Sequence, residues 1–366
     1  MLKIGLVIPS LQSGGMERVM SELTTHFAGK ENIELHLILY GKKREIFYPL
    51  PKKVKVHKPS WPFNDNLRLL STLKTLLWLR SRIKQINPDT VLSFGEYWNS
   101  FVLLALKGTR YPVFVSDRCK PDKYLGKLHE FLRTWLYPRA AGVVVQTGKA
   151  REVYLQKELN RNIRLIGNPI REISSDGGPQ EKENIILTVG RLINTKHHDR
   201  LIEIFDQVKK EDWKLIIIGG NAIKQDNMSQ LKGLIEEKGL QGHVILAGTI
   251  TNVEEYYLKS KIFAFTSSSE GFPNAVGEAM SAGIPVVAYD CVAGPADMIE
   301  DGVTGYLVDL FDDESFIIRV KELMHDGDLR KKMGEHSKKK IKDYSVEAIG
   351  ERYFEFITEN RSSQIS

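Results

Sequence analysis

The chain reads as an α/β protein made of two doubly wound parallel-sheet halves. Three observations carry this reading. Short apolar runs alternate with longer helical stretches along most of the sequence, which is how repeated βαβ units stack a parallel sheet between two helix layers. Near the middle, Ser174-Ser175-Asp176-Gly177-Gly178-Pro179 interrupts that alternation with the composition of a flexible connector. The length of 366 residues, 42% of them hydrophobic, exceeds the ~100–200 residues of an ordinary domain.

In the first half, strands are expected at Lys3–Ser10, Ile33–Tyr40, Thr90–Phe94, Val113–Ser116, Gly142–Gln146 and Arg164–Ile166. These are near-continuous apolar runs, as in strands covered on both faces. A second series follows the connector at Asn184–Val189, Trp213–Gly219, His243–Leu246, Ile262–Thr266, Pro285–Tyr289 and Gly305–Leu307. The boundaries drawn are 1–175 for the first domain, 176–183 for the linker and 184–344 for the second domain.

Composition narrows the function. Two cysteines, Cys119 and Cys291, give no disulfide framework and fit a reducing compartment. The apolar start, Ile4–Pro9, is too short for a signal peptide, and no run of 18 apolar residues exists to span a membrane. The net charge of +6 hides a split of +14 over residues 1–180 against −8 over residues 181–366. A basic half suggests an anionic ligand or surface. Nucleic acid would satisfy the charge, yet no zinc spacing, RNP-like segment or helix-turn-helix signal accompanies it.

The most informative stretch is Glu270-Gly271-Phe272-Pro273-Asn274-Ala275-Val276-Gly277-Glu278. A short strand precedes it, Gly-Phe-Pro makes a turn, and a helix is expected from near Asn274. Such a junction aims free N–H groups and a helix dipole at the crevice beyond the strand ends. An anion held there has a carboxylate on each side for hydroxyl groups, a pattern that suits a sugar nucleotide.

This stretch resembles the E-x7-E motif of the retaining, metal-independent glycosyltransferases with the GT-B fold, family 4 of the sugar-transferase classification. Three further segments in the same order strengthen the resemblance. Gly14-Gly15-Met16-Glu17 is similar to the family's Gly-Gly-x-Glu loop. Gly190-Arg191-Leu192 with Lys196 matches its Gly-Arg-(x)4-Lys. Gly283-Ile284-Pro285, Gly294-Pro295 and Asp301-Gly302-Val303-Thr304-Gly305 resemble the run that follows E-x7-E. The resemblance spans nearly the whole chain and implies two Rossmann-like domains facing across a cleft. The first would bind the acceptor and the second the nucleotide sugar, with a C-terminal helix, 345–366, returning to the first.

The resemblance also implies roles. Arg191 and Lys196 would grip the donor diphosphate, a fork and a point charge suited to a pyrophosphate leaving group. Glu278 would hold the ribose hydroxyls. Glu270 would face the transferred sugar, without a nucleophile's role. Gly14, Gly15, Gly190 and Gly271 would let backbone approach the ligand, with Phe272 and Asn274 supplying N–H groups. Glu17 reads as a helix-start acid. Ser116-Asp117-Arg118 departs from the family, since many relatives carry histidine where Arg118 stands. A permanent cation there can bind sugar, phosphate or acceptor but cannot shuttle protons.

Other features read blandly. Asp326-Gly327-Asp328 spells a metal-binding triplet of another transferase fold, but its place between helices suggests a turn with a cap. His197-His198 cannot face one ligand from adjacent helix positions and read as surface. No metal site and no cofactor are expected. Residues Asn66–Lys84 form an amphipathic helix with Leu69, Leu70, Leu73, Leu76 and Leu77 on one stripe. That stripe is either core-facing or set against the anionic inner face of the cytoplasmic membrane, where it could also touch a pyrophosphate-linked acceptor.

The expected activity is therefore retaining transfer of a hexose or N-acetylhexosamine from a nucleotide-diphosphate sugar, UDP-linked, to a polyprenyl-diphosphate-linked glycan. The enzyme would be cytoplasmic and peripheral at the membrane. Rival readings are a GT-B epimerase of UDP-sugars, a transferase with a soluble acceptor, and a catalytically silent sugar-nucleotide-binding scaffold.

Overall fold

The computed structural model describes residues 1–121, 123–174, 181–222 and 225–362. Two compact units divide the chain. One is Met1–Pro169 with the segment from Val346 onward, and the other is Ile170–Ser345.

The first unit holds seven strands: β1 (Leu2–Ile8), β2 (Ile33–Leu39), β3 (Lys55–His57), β4 (Thr90–Phe94), β5 (Val113–Ser116), β6 (Gly142–Val145) and β7 (Ile163–Leu165). They pair in parallel in the order β3-β2-β1-β4-β5-β6-β7. Every residue of β4 is buried, which is why it reads as an unbroken apolar run. The strand order reverses between β1 and β4, and the loops leaving those two strands flank an opening at their carboxyl ends.

The second unit repeats the plan with β8 (Glu183–Val189), β9 (Lys214–Ile218), β10 (Val244–Gly248), β11 (Ser260–Phe265), β12 (Val286–Tyr289) and β13 (Gly305–Val308). Their order is β10-β9-β8-β11-β12-β13, again all parallel, with the reversal between β8 and β11. Alternation along β9 feeds two helix layers. Leu215 and Ile217 join one core cluster, while Ile216 and Ile218 join the other.

Three details differ from expectation, and a fourth decides between alternatives left open. Strand β3 was not foreseen, because it is a three-residue edge with its first two residues exposed. The division between units falls at 169/170 rather than 175/176, since Ile170 and Ile173 are buried with Leu187 and Phe272 in the second unit. Most of the linker drawn at 176–183 lies outside the described residues, and β8 begins within it at Glu183. The leucine stripe, left open between core and membrane, is exposed except at Leu76, which is half-buried against the core. In the helix Arg68–Ile86 the buried residues are Thr75, Leu79, Ile83 and Ile86, while Leu69, Leu70, Leu73 and Leu77 are exposed, Leu69 by 87%.

The C-terminal helix Val346–Ser362 packs on the helix Gly15–Gly29 and on β4 of the first unit. Its Phe356 ring meets Phe114 at 5.1 Å, and its Tyr353 ring meets Phe94 at 5.9 Å. Among the described residues no helix is long and apolar enough to cross a membrane.

Candidate active site

In the second unit, the loops leaving β8 and β11 meet at the reversal of strand order. After β8, Gly190 and Arg191 lead to a 3-10 turn at Asn194–Lys196. After β11, residues 266–273 lead into the helix Asn274–Ser281. Hydrogen bonds stitch the two loops together. The Ser268 N–H donates to the Thr195 carbonyl at 2.8 Å, and the Thr266 hydroxyl donates to the Lys196 carbonyl at 2.9 Å. His197, in the left-handed region at φ 48°, places its Nε2 2.8 Å from the Ser268 hydroxyl.

This stitching sets Lys196 against Glu270. Lys196 Nζ is ion-paired with Glu270 Oε1, and the two side chains are only 16% and 13% exposed. The ammonium also lies 5.0 Å above the Phe265 ring, and Gly190 sits beneath the lysine stem. Arg191 is exposed, and its guanidinium has no partner among the described residues.

Pro273 closes an inverse γ-turn at φ −84°, ψ 73°, in which the Asn274 N–H donates to the Phe272 carbonyl at 3.0 Å. Asn274 was expected to offer its N–H to a ligand, and this bond corrects that expectation. Gly271 and Phe272 keep N–H groups with no partner among the described residues. Phe272 itself is buried, its ring 5.9 Å from that of Tyr344. Gly294 supports the turn from behind. It sits at φ 111°, and a Cβ there would lie 2.2 Å from Pro273 Cδ.

Glu278 sits one turn into the helix. Buried Tyr257 donates its hydroxyl to Glu278 Oε2 at 3.0 Å, and burial raises the phenol's pKa well above its ordinary value, so it stays a donor. Arg171 approaches Glu278 Oε1 at 3.4 Å and pairs with Glu254 at 2.8 Å. Tyr257 and Arg171 lie outside every motif, and no local pattern marks them.

In the first unit, Gly14 and Gly15 follow β1 and open the helix Gly15–Gly29. The Tyr48 hydroxyl brackets Gly14, 3.2 Å from its N and 3.1 Å from its carbonyl oxygen. Glu17 accepts from the Ser10 hydroxyl at 3.2 Å in the helix's first turn. Gly15 faces open space.

Arg118 follows β5 and makes no salt bridge among the described residues. Its Nη1 donates to the Tyr353 hydroxyl at 3.1 Å, and its guanidinium stacks 4.6 Å from the Phe94 centroid. The Nη2 atom is buried with no partner among the described residues, and burial lowers the group's pKa. Next to it, Asp117 accepts from Tyr137 at 2.6 Å and Asn99 at 2.8 Å, and also from Tyr154. Burial, with the Glu96 carboxylate nearby, raises Asp117 to about 6.

His198, expected at the surface, is buried, and burial lowers its pKa to about 4. Asp326 caps the helix Gly327–Ile341 by accepting from the Leu329 N–H at 2.8 Å. Among the described residues no three His, Cys, Asp or Glu side chains converge to hold a metal ion.

Two family models match the chain in tandem: "Glycosyltransferase Family 4" over residues 13–172 and "Glycosyl transferases group 1" over residues 169–340. The chain belongs to the glycosyltransferases of the family 4 type, built on the GT-B fold. It is 27% identical to the Campylobacter jejuni GalNAc-alpha-(1->4)-GalNAc-alpha-(1->3)-diNAcBac-PP-undecaprenol alpha-1,4-N-acetyl-D-galactosaminyltransferase, over 99% of this chain and 100% of that one. It is 28% identical to the amylovoran biosynthesis glycosyltransferase AmsD of Erwinia amylovora, over 95% of this chain and 97% of that one. Among solved structures, the lipopolysaccharide outer core galactosyltransferase WaaB shares the fold, with a TM-score of 0.80 at 23% identity over 98% of this chain and 100% of that one.

Proposed function

We propose that the protein transfers a hexose or N-acetylhexosamine from a nucleotide-diphosphate sugar, UDP-linked, to a lipid-linked glycan, with retention and without a metal or other cofactor. The observation that carries this reading is the Lys196–Glu270 pair at the strand-order reversal, with exposed Arg191 beside it and Glu278 fixed by Tyr257 one turn into the following helix.

As the bond from the sugar's anomeric carbon to the diphosphate breaks, negative charge gathers on the leaving oxygen. Lys196 and Arg191 take up that charge, which is the largest catalytic contribution expected of the site. Glu270, released from Lys196 by the competing phosphate, faces the electron-poor sugar ring. The acceptor hydroxyl attacks on the face the diphosphate leaves, and its proton passes to the departing diphosphate oxygen. Glu278 accepts from both ribose hydroxyls, each oxygen having a lone pair to spare beyond the Tyr257 bond. Gly14, Gly15, Gly190 and Gly271 keep backbone close to the ligand, and the N–H groups of Gly271 and Phe272 are its donors. Arg118 binds donor sugar or acceptor.

Two things support a lipid-linked acceptor at the inner membrane face. One is the exposed leucine stripe of the basic half, and the other is the undecaprenol-linked substrate named for the Campylobacter relative. Thermal unfolding with UDP, GDP, ADP and their sugars, with and without EDTA, tests the donor site. A rise in melting temperature with UDP species that EDTA leaves unchanged is expected, and no shift with any nucleotide would overturn the assignment. The best donor, supplied with a synthetic polyprenyl-diphosphate glycan, then tests the transfer itself by mass spectrometry.

A further inference from the structure

The last helix brings a side chain to the end of β5. Tyr353 lies 235 residues beyond Arg118, yet its hydroxyl accepts from Arg118 Nη1 at 3.1 Å. The same hydroxyl lies 3.0 Å from Ser116 Oγ, at the last residue of β5. An arginine nitrogen only donates, so the phenol oxygen takes that bond on a lone pair and keeps its own proton for Ser116. Tyr353 and Ser116 are both fully buried, and burial raises the phenol's pKa, so it stays protonated. The result is an oriented chain inside the first unit, from Arg118 through Tyr353 to Ser116.

Arg118 is fixed from two further sides. Its guanidinium lies over the Phe94 ring, and its backbone N–H donates to Glu96 Oε2 at 3.1 Å. No carboxylate forms an ion pair with it among the described residues. Repulsion from Arg18, the fourth residue of the helix Gly15–Gly29, adds to burial in lowering its pKa. A half-buried cation without an ionic partner costs stability, and an apolar side chain would fill the place more cheaply. At the carboxyl end of a strand, near the helix that Gly14-Gly15 opens, such a charge serves a ligand. A free arginine samples many rotamers, so one that must meet an oxygen in a single geometry gains from being held beforehand.

We propose that Tyr353 is a positioning residue: its hydroxyl, oriented by Ser116, holds the Arg118 guanidinium in the geometry that meets a substrate oxygen. The last helix thereby contributes to turnover and not to packing alone. The proposal rests on the placement of Arg118 at the donor sugar or acceptor given above.

A double-mutant cycle in the full chain tests it. Transfer is measured from the UDP-sugar that gives the largest melting shift to the synthetic polyprenyl-diphosphate glycan. Tyr353→Phe keeps the ring against Phe94 and removes only the hydroxyl. It is expected to lower kcat/KM roughly tenfold, the low end for a hydrogen bond to a charged group. In an Arg118→Met background the same change is expected to alter kcat/KM less than about twofold, because no guanidinium is left to hold. The UDP melting shift should be equal in all four proteins, since the residues assigned to the nucleotide lie in the second unit. Should Tyr353→Phe melt below the assay temperature, Ser116→Ala, which frees the phenol to turn, is carried through the same cycle and is expected to show the same loss of effect without Arg118. Three results would overturn the proposal: no loss on Tyr353→Phe in the parent, an equal loss in both backgrounds, as a merely structural hydroxyl would give, or full turnover in Arg118→Met. Each leaves the transferase reading standing. A parent that shows neither transfer nor a UDP shift would instead sink the transferase reading, and the positioning role with it.

Discussion

Replacing Lys196 by alanine removes one cation from the diphosphate and one partner from Glu270. The magnitude follows from the geometry. With the two side chains 16% and 13% exposed, the pair sits in a partly dry setting where an effective dielectric near 20 applies, and a unit charge at ~4 Å is worth ~4 kcal/mol. Charge on the leaving oxygen develops only in part, so the loss in turnover should be ~10²–10³-fold, the size seen when a single oxyanion donor is removed. Stability should fall by ~1–3 kcal/mol, between the values for exposed and fully buried pairs, because Glu270 loses its partner. Lys196→Met keeps the stem over Phe265 and should match the turnover loss with a smaller stability cost. The assay is steady-state turnover with the best donor, paired with a melting curve for each variant. Turnover within threefold of the parent in either variant, with the fold intact, would refute the charge-neutralising role.

Tyr257→Phe removes the hydroxyl that orients Glu278, so the donor KM should rise ~5–10-fold, about the ~1 kcal/mol of one ordinary hydrogen bond, with kcat changed less; initial rates against donor concentration check this. Gly294→Ala forces a Cβ into the Pro273 ring at a positive φ and should cost more than 2 kcal/mol by urea unfolding, whereas Gly302→Ala, also at positive φ but facing open space, should cost less. Asp117 has a folded pKa near 6, raised by burial, so the folded state holds its proton more tightly than the unfolded chain. The group therefore destabilises as pH rises from about 4 to 6, by at most ~3 kcal/mol, and Asp117→Asn should remove that slope. His198, near 4 in the folded state, titrates with the opposite sign, adding stability as pH rises from about 4 to 6.5, so the check is the parent-minus-variant difference across pH 4–7.

Much of this was legible in the sequence because buried parallel strands are written as apolar runs. All twelve expected strands occur, and the one that escaped, Lys55–His57, is a short exposed edge within a basic run. Spacing put Leu69, Leu70, Leu73 and Leu77 on one stripe but could not say which side of the helix meets the sheet, and Leu79, Ile83 and Ile86 took that side. The pairing of Lys196 with Glu270, 74 residues apart, depends on β8 and β11 being neighbours, a fact of strand order that local pattern does not encode. Asn274 looked like a donor until the turn at Pro273 was seen to use its N–H. Tyr257 and Tyr353 act through a single hydroxyl each, and nothing in their sequence neighbourhood marks them.

The return of the last helix to the first unit has a consequence for how the protein is made. Residues up to Pro169 leave the ribosome first, yet Phe114 and Arg118 find Phe356 and Tyr353 only after the whole second unit has been synthesised. At ~5–20 residues per second, the 176 residues from 170 to 345 hold the first unit incomplete for roughly 9–35 s. The second unit, continuous in sequence, has no such wait. A nonsense codon just after Ser345 would thus spare the half it interrupts last and leave open the half translated first.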